Sequence, residues 1–191
     1  AKVRKSARHA GGWRYKPTST DSDLSLSGWQ LMSLHAAQQV GITVPEEVIR
    51  KAVGYAGRNT GEDGRVGYQG VNDNKALRGL GMLCFAVGGR EKDPVVDKIG
   101  ERIVNDPVEW KGNWLFYRSY YDAVGMSRAR PEMWKKYSRV LEGVFVDNQK
   151  KDGSWPTPPG NNDGRHGGVY RTSLAVLALT VDRHVLPAYQ R

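Results

Sequence analysis

Asp21-Ser22-Asp23-Leu24-Ser25 holds two carboxyls and two hydroxyls within five positions, directly ahead of an apolar helical run. Carboxyl and hydroxyl oxygens at that place accept hydrogen bonds from the first free N–H groups of a helix, so capping by Asp23 or Ser25 outweighs catalysis. The four histidines, at 9, 35, 166 and 184, have no spacing that would hold a metal. His35, on an apolar helix, reads as a core residue and not as a base. The single cysteine, Cys84, lies within Leu80-Gly81-Met82-Leu83-Cys84-Phe85-Ala86 and reads as a small buried hydrophobe. Neither Gly88-Gly89-Arg90 nor the loop 160–168 follows a strand, so neither reads as a phosphate cradle. No metal and no cofactor is expected.

The elements that must position these groups are helical. Ser25 to Gln39 carries apolar residues on more than one face, as in a helix covered by neighbours. Val44-Pro45-Glu46-Glu47, Asp93-Pro94 and Arg130-Pro131-Glu132 each combine proline with nearby carboxylates, the start signals of helices with a single apolar stripe. Between them, Lys75–Val87, Ser119–Ser127 and Thr172–Val181 are rich in small and apolar residues. Gly28, Gly79, Gly81 and Gly125 cost helix stability, which points to helices too close for a side chain between them. Inner and outer helices should therefore alternate in a curved double layer, with little or no sheet.

Aromatic-glycine corners recur along this alternation: Gly11-Gly12-Trp13-Arg14-Tyr15, Gly64-Arg65-Val66-Gly67-Tyr68 and Gly112-Asn113-Trp114-Leu115-Phe116-Tyr117. A fourth, Gln149-x3-Gly153-x-Trp155, joins two predicted helices. Helices open after these corners near Ser25, Asn74, Ser119 and Thr172, a repeat of helix, turn, helix and corner.

At 191 residues the chain suits one domain, with residues 1–10 a basic flexible arm or linker and 11–191 the repeat domain. It carries 29 basic and 20 acidic side chains, a formal charge of +9, so its surface should attract anions. The basic residues are spread over helix faces, which ranks nucleic acid or an acidic polymer below other partners. No apolar stretch reaches the roughly 20 residues of a membrane span, and Ala1-Lys2-Val3-Arg4-Lys5 lacks a signal-peptide core. The chain begins without methionine, as a processed product or a piece of a longer protein would.

On Gly-Gly-Trp-Arg-Tyr, Ser27-Gly28-Trp29-Gln30-Leu31-Met32, Tyr120-Tyr121, Gln149-Lys150-Lys151-Asp152-Gly153-Ser154-Trp155 and Leu186-Pro187-Ala188-Tyr189-Gln190-Arg191, the chain resembles α/α-toroid repeat proteins. These are related to squalene-hopene cyclases and prenyltransferase β subunits, and the wording is nearest to the squalene-cyclase-like proteins of planctomycete-type bacteria. The resemblance implies an all-α toroid of about four hairpins, an incomplete ring. Gln149, Gly153 and Trp155 are similar to the QW motif of terpenoid cyclases, in which the glutamine amide caps a helix end and the tryptophan stacks over it. Trp13 and Trp114 would do related structural work in their own repeats.

Asp21-Ser22-Asp23-Leu24-Ser25 also resembles the cyclases' Asp-x-Asp-Asp-Thr-Ala motif, with Asp23 in the place of the acid that protonates an alkene and Leu24 where a third aspartate should stand. A prenyltransferase would need zinc ligands in Asp-x-Cys and Tyr-His-Thr. Here Met82-Leu83 precede Cys84, and Tyr170-Arg171-Thr172 replaces the histidine.

The expectation is thus a noncatalytic toroid module or fragment, a binding or structural scaffold using its inner face, with Trp29, Tyr120, Tyr121, Tyr170 and Arg171 as binding residues. A terpenoid cyclase or prenyl enzyme with Asp23 as acid is the alternative, and an electrostatic binder of nucleic acid or acidic polymer is another. Expected partners are a larger assembly, a protein or an apolar ligand. The loop 156–168 reads as variable; as a functional loop it would offer Arg165 and His166 to an anion.

Overall fold

Proline at the cap or in the first turn and carboxylates near the dipole's positive end set three helix starts in this computed structural model, which describes residues 6–160 and 162–183. The helices are α1 (Leu24–Gln39), α2 (Glu46–Arg58), α3 (Arg78–Val87), α4 (Pro94–Asn105), α5 (Leu115–Ala129), α6 (Pro131–Val146) and α7 (Gly167–Leu179). A 3-10 turn, Lys75–Leu77, leads into α3. Among the described residues there is no strand, only two isolated bridges, Trp13 to Asp23 and Thr60 to Val66. The fold is all-α.

Helices α1, α3, α5 and α7 pack side by side in chain order of alternate elements, while α2, α4 and α6 each lie against the helix before them. The difference in sequence character follows from this. Every residue of α3 from Arg78 to Phe85 is buried, whereas α4 buries only Val96, Ile99, Gly100 and Ile103, one stripe at helical spacing. α3 and α5 approach closely because both are glycine at the crossing. A methyl group on Gly79 would fall 2.3 Å from the Tyr121 carbonyl, and one on Gly125 would fall 2.3 Å from the Gly79 oxygen.

α5 and α7 begin earlier than the expected Ser119 and Thr172, at Leu115 and Gly167. The aromatic corner Leu115-Phe116-Tyr117 is already helical, because its side chains pack against neighbours: Phe116 against Trp110 and Phe145, Tyr117 against Tyr121. Of residues 1–10, expected as a basic arm, the structure describes 6–10. Residues 1–5 lie outside the described residues, but Ala7–His9 form a 3-10 turn held to the body. His9 Nδ1 lies 2.9 Å from Ser22 Oγ, and Arg58 donates to the Ala10 carbonyl. The Leu186–Arg191 wording and His184 also lie outside the described residues.

Two charged clusters, one around buried Arg78 and one around buried Asp122, join the layers. Arg78 pairs with both oxygens of Asp73 and, at 2.8 Å, with Asp106. Asp122, fully buried on α5, accepts from Gly79 N of α3 (3.1 Å), from Arg118 Nε (3.2 Å) and from the Tyr137 hydroxyl of α6 (3.1 Å). Burial raises its carboxyl, against the pull of Arg118.

Candidate functional site: an aromatic cleft at the starts of three helices

Asp23 is the N-cap of α1. Its Oδ1 accepts from Leu26 N (2.9 Å) and from the Ser25 hydroxyl (2.6 Å), and its Oδ2 receives the Arg14 guanidinium. The residue is 0 % exposed. Arg14 is held further by Asp21 (3.3 Å) and by the Tyr68 hydroxyl (2.7 Å), and its own pKa is raised, first by Asp23 and then by Tyr68. Its Cζ stands 5.6 Å from the ring centroids of both Tyr15 and Tyr68.

Beyond this pair opens a cleft of about 320 Å³. Its aromatic walls are Tyr15, Trp29, Tyr68, Trp114 and Tyr117, with Leu26, Ala76 and Leu77 between them. Ser25 and Asn74 are its polar lining residues; the Ser25 hydroxyl is donated to Asp23, and Asn74 Oδ1 accepts from Ala76 N. Asp23 does not reach it, since Ser25 and Tyr68 stand between. Among the described residues no charged side chain lines it.

The cleft exists because α1, α3 and α5 begin at the same end of their layer. Each start is preceded by a glycine-aromatic corner, and these corners contribute Tyr15, Tyr68, Trp114 and Tyr117. The corners were legible in the sequence as a repeat; their convergence on one cleft was not.

Trp114 departs from ordinary backbone. Its φ of 62° is left-handed, the one such non-glycine residue among those described, and it caps α5 without a side-chain hydrogen bond. For a bulky residue this conformation is strained. The indole is 40 % exposed, stands 5.5 Å from the His166 ring and meets Tyr117 edge-on at 6.4 Å. The Tyr117 hydroxyl is buried beside Trp29 with no hydrogen bond among the described residues, and burial lifts its pKa well above the ordinary range.

Comparison with protein families, with curated proteins and with solved structures returns no match to this chain.

The expected binding residues divide. Trp29, 52 % exposed, lines the cleft. Tyr120 and Tyr121 do not: both are buried in the core, meeting edge-on at 4.9 Å. They sit further along α5 than Tyr117, inside the α3–α5–α7 packing. Tyr170 is half-buried, 4.8 Å from the His166 ring, and Arg171 Nε donates to the Trp155 carbonyl at 3.2 Å, so Arg171 ties α7 to the preceding corner.

At that corner the roles differ from the expected ones. The Gln149 amide donates to the Gly153 carbonyl (2.9 Å) inside the turn, and it is Trp155, through Nε1 to the Phe145 carbonyl (2.7 Å), that caps the end of α6. Trp155 is buried edge-on against Phe145; Trp13 is half-buried, with its backbone N donating to Ser27 Oγ (2.8 Å). Of the three, Trp114 lines the cleft and Trp13 and Trp155 do not.

Cys84 is buried, and burial pushes its thiol up to about 12, far from a reactive thiolate. Among the described residues no three histidine, cysteine or acidic side chains gather as a metal site requires, and no helix is long and apolar enough to cross a membrane. In the sequence, Tyr15, Tyr68, Tyr117 and Asp122 do not stand out as single residues. The aromatic corners signalled the first three, whereas a lone aspartate on an apolar helix was the only signal for Asp122.

Proposed function

We propose that this chain is a noncatalytic module of an α/α-toroid, a scaffold that binds a ligand or partner in the aromatic cleft at the starts of α1, α3 and α5. The place of Asp23 carries this reading. Its two oxygens are taken up by the α1 cap, the Ser25 hydroxyl and the Arg14 guanidinium, and it does not line the cleft, so it has no free oxygen to present to an alkene there. The cleft it borders is walled by aromatics and falls at the small end of ligand-site volumes. The alternation of α1, α3, α5 and α7 with α2, α4 and α6 supports the toroid arrangement, as hairpin units stacked in series.

Ligand-observed NMR with a library of small neutral fragments tests the reading. Saturable binding that weakens in Trp29→Ala supports it. Conversion of squalene or a prenyl diphosphate to product by the wild-type chain, abolished by Asp23→Asn, would replace it with terpenoid chemistry.

A further inference from the structure

The cleft's walls restrict its occupant. Among the described residues no charged side chain lines the cleft, so a charged ligand would lose hydration and find no counter-charge among them. A cation fares worse still, because the Arg14 guanidinium already sits against the rings of Tyr15 and Tyr68. A sugar would bring several hydroxyls against walls that are mostly aromatic and aliphatic, where the Ser25 proton and the Asn74 oxygen are already engaged. A flexible chain would lose rotational freedom in a space of about 320 Å³.

Two half-exposed indoles remain at the mouth, Trp29 and Trp114. The left-handed backbone of Trp114 holds one of them there at a cost glycine would avoid, and residues kept in such conformations cluster at ligand clamps. Resting on the scaffold reading above, we infer that the cleft is a site for a small, uncharged, planar ring compound that stacks on Trp29 and Trp114.

Four probes separate the classes: coumarin for an uncharged planar ring, geraniol for a short isoprenoid chain, methyl β-glucoside for a sugar and tetramethylammonium for a cation. Each is titrated by tryptophan fluorescence and ligand-observed NMR into the wild-type chain, Trp29→Ala and Trp114→Gly. Trp114→Gly removes the indole while relieving the left-handed strain, so it stays folded, and circular dichroism and thermal melting confirm this for both variants.

The expected result is coumarin binding at least about tenfold more tightly than the other three. Each variant should weaken it by about fivefold or more. Tighter binding of geraniol, glucoside or tetramethylammonium, still dependent on Trp29, overturns the planar-ring assignment and leaves the cleft as a ligand site. Absence of Trp29-dependent binding by all four up to about 10 mM overturns both. Coumarin binding that both folded variants retain at full strength overturns the assignment of the indoles.

Discussion

Arg14 and Asp23 form an ion pair in which one carboxylate oxygen receives the guanidinium while the other caps α1, so a single buried side chain ties the first corner to the first helix. Removing either partner exposes the same weakness from opposite sides. Asp23→Ala loses the cap and the pair together and should cost about 3 kcal/mol. Arg14→Met leaves a buried carboxylate without its cation and should cost about 2–4 kcal/mol. Asp23→Asn keeps an oxygen for Leu26 N and should fall below both. Urea unfolding of the three variants measures the order, and an Asp23→Ala chain as stable as the wild type would contradict the pairing.

The α3–α5 crossing predicts opposite signs for two glycine substitutions. Gly79→Ala drives a methyl into the Tyr121 carbonyl and should destabilise by about 2 kcal/mol or more. Gly143→Ala, on α6 with open space around it, should stabilise by about 0.5–1 kcal/mol through helix propensity. Thermal melts of the two variants against wild type distinguish them directly.

At the last corner, the indole of Trp155 and the amide of Gln149 should prove unequal. Trp155→Phe leaves the Phe145 carbonyl with the longer bond from Asn148 N (3.3 Å) alone and should cost about 1–2 kcal/mol. Gln149 is exposed and bonds only within its own turn, so Gln149→Ala should cost under about 1 kcal/mol. Equal losses on chemical denaturation would return the capping role to the glutamine.

His35 Nε2 lies 3.3 Å from Arg128, which can only donate, so that nitrogen is unprotonated in the folded chain. Burial lowers the imidazole pKa, and the Arg128 charge adds to this. As pH falls below about 6.5, the unfolded chain takes up a proton that the folded chain resists, and stability declines. Above that value the residue adds no slope. His35→Gln keeps an acceptor for Arg128 and should remove this part of the loss between pH 7 and pH 5; melting curves identical in slope for both chains would exclude the role.

Much of the fold was legible because its signals are local. Asp93-Pro94 and Arg130-Pro131 stand at the starts of α4 and α6, and Gly79 and Gly125 lie where two helices meet. The site was legible only in fragments. Tyr120-Tyr121 and Tyr15 are equally aromatic in the sequence, yet the first two are core and the third is 75 % exposed beside the cleft. Hydrophobicity does not tell these apart, because the side of α5 that faces α3 and α7 depends on where those helices cross it.

By itself the sequence determined most of the helical segments and that Asp23 stands where a cap belongs, whereas α1, expected to be covered on more than one face, buries the single stripe Leu24, Ser27, Gly28, Leu31 and His35. Capping, proline geometry and helical periodicity act over one to four residues, so they can be read along the chain. Tertiary structure alone decided that Arg14 is the partner of Asp23, that Asp122 joins three helices, and that corners some 50 residues apart bring Tyr15, Tyr68 and Trp114 to one cleft. Those relations arise from the packing of α1, α3 and α5 into one layer, where the contact between distant segments and not their local composition sets what each side chain meets.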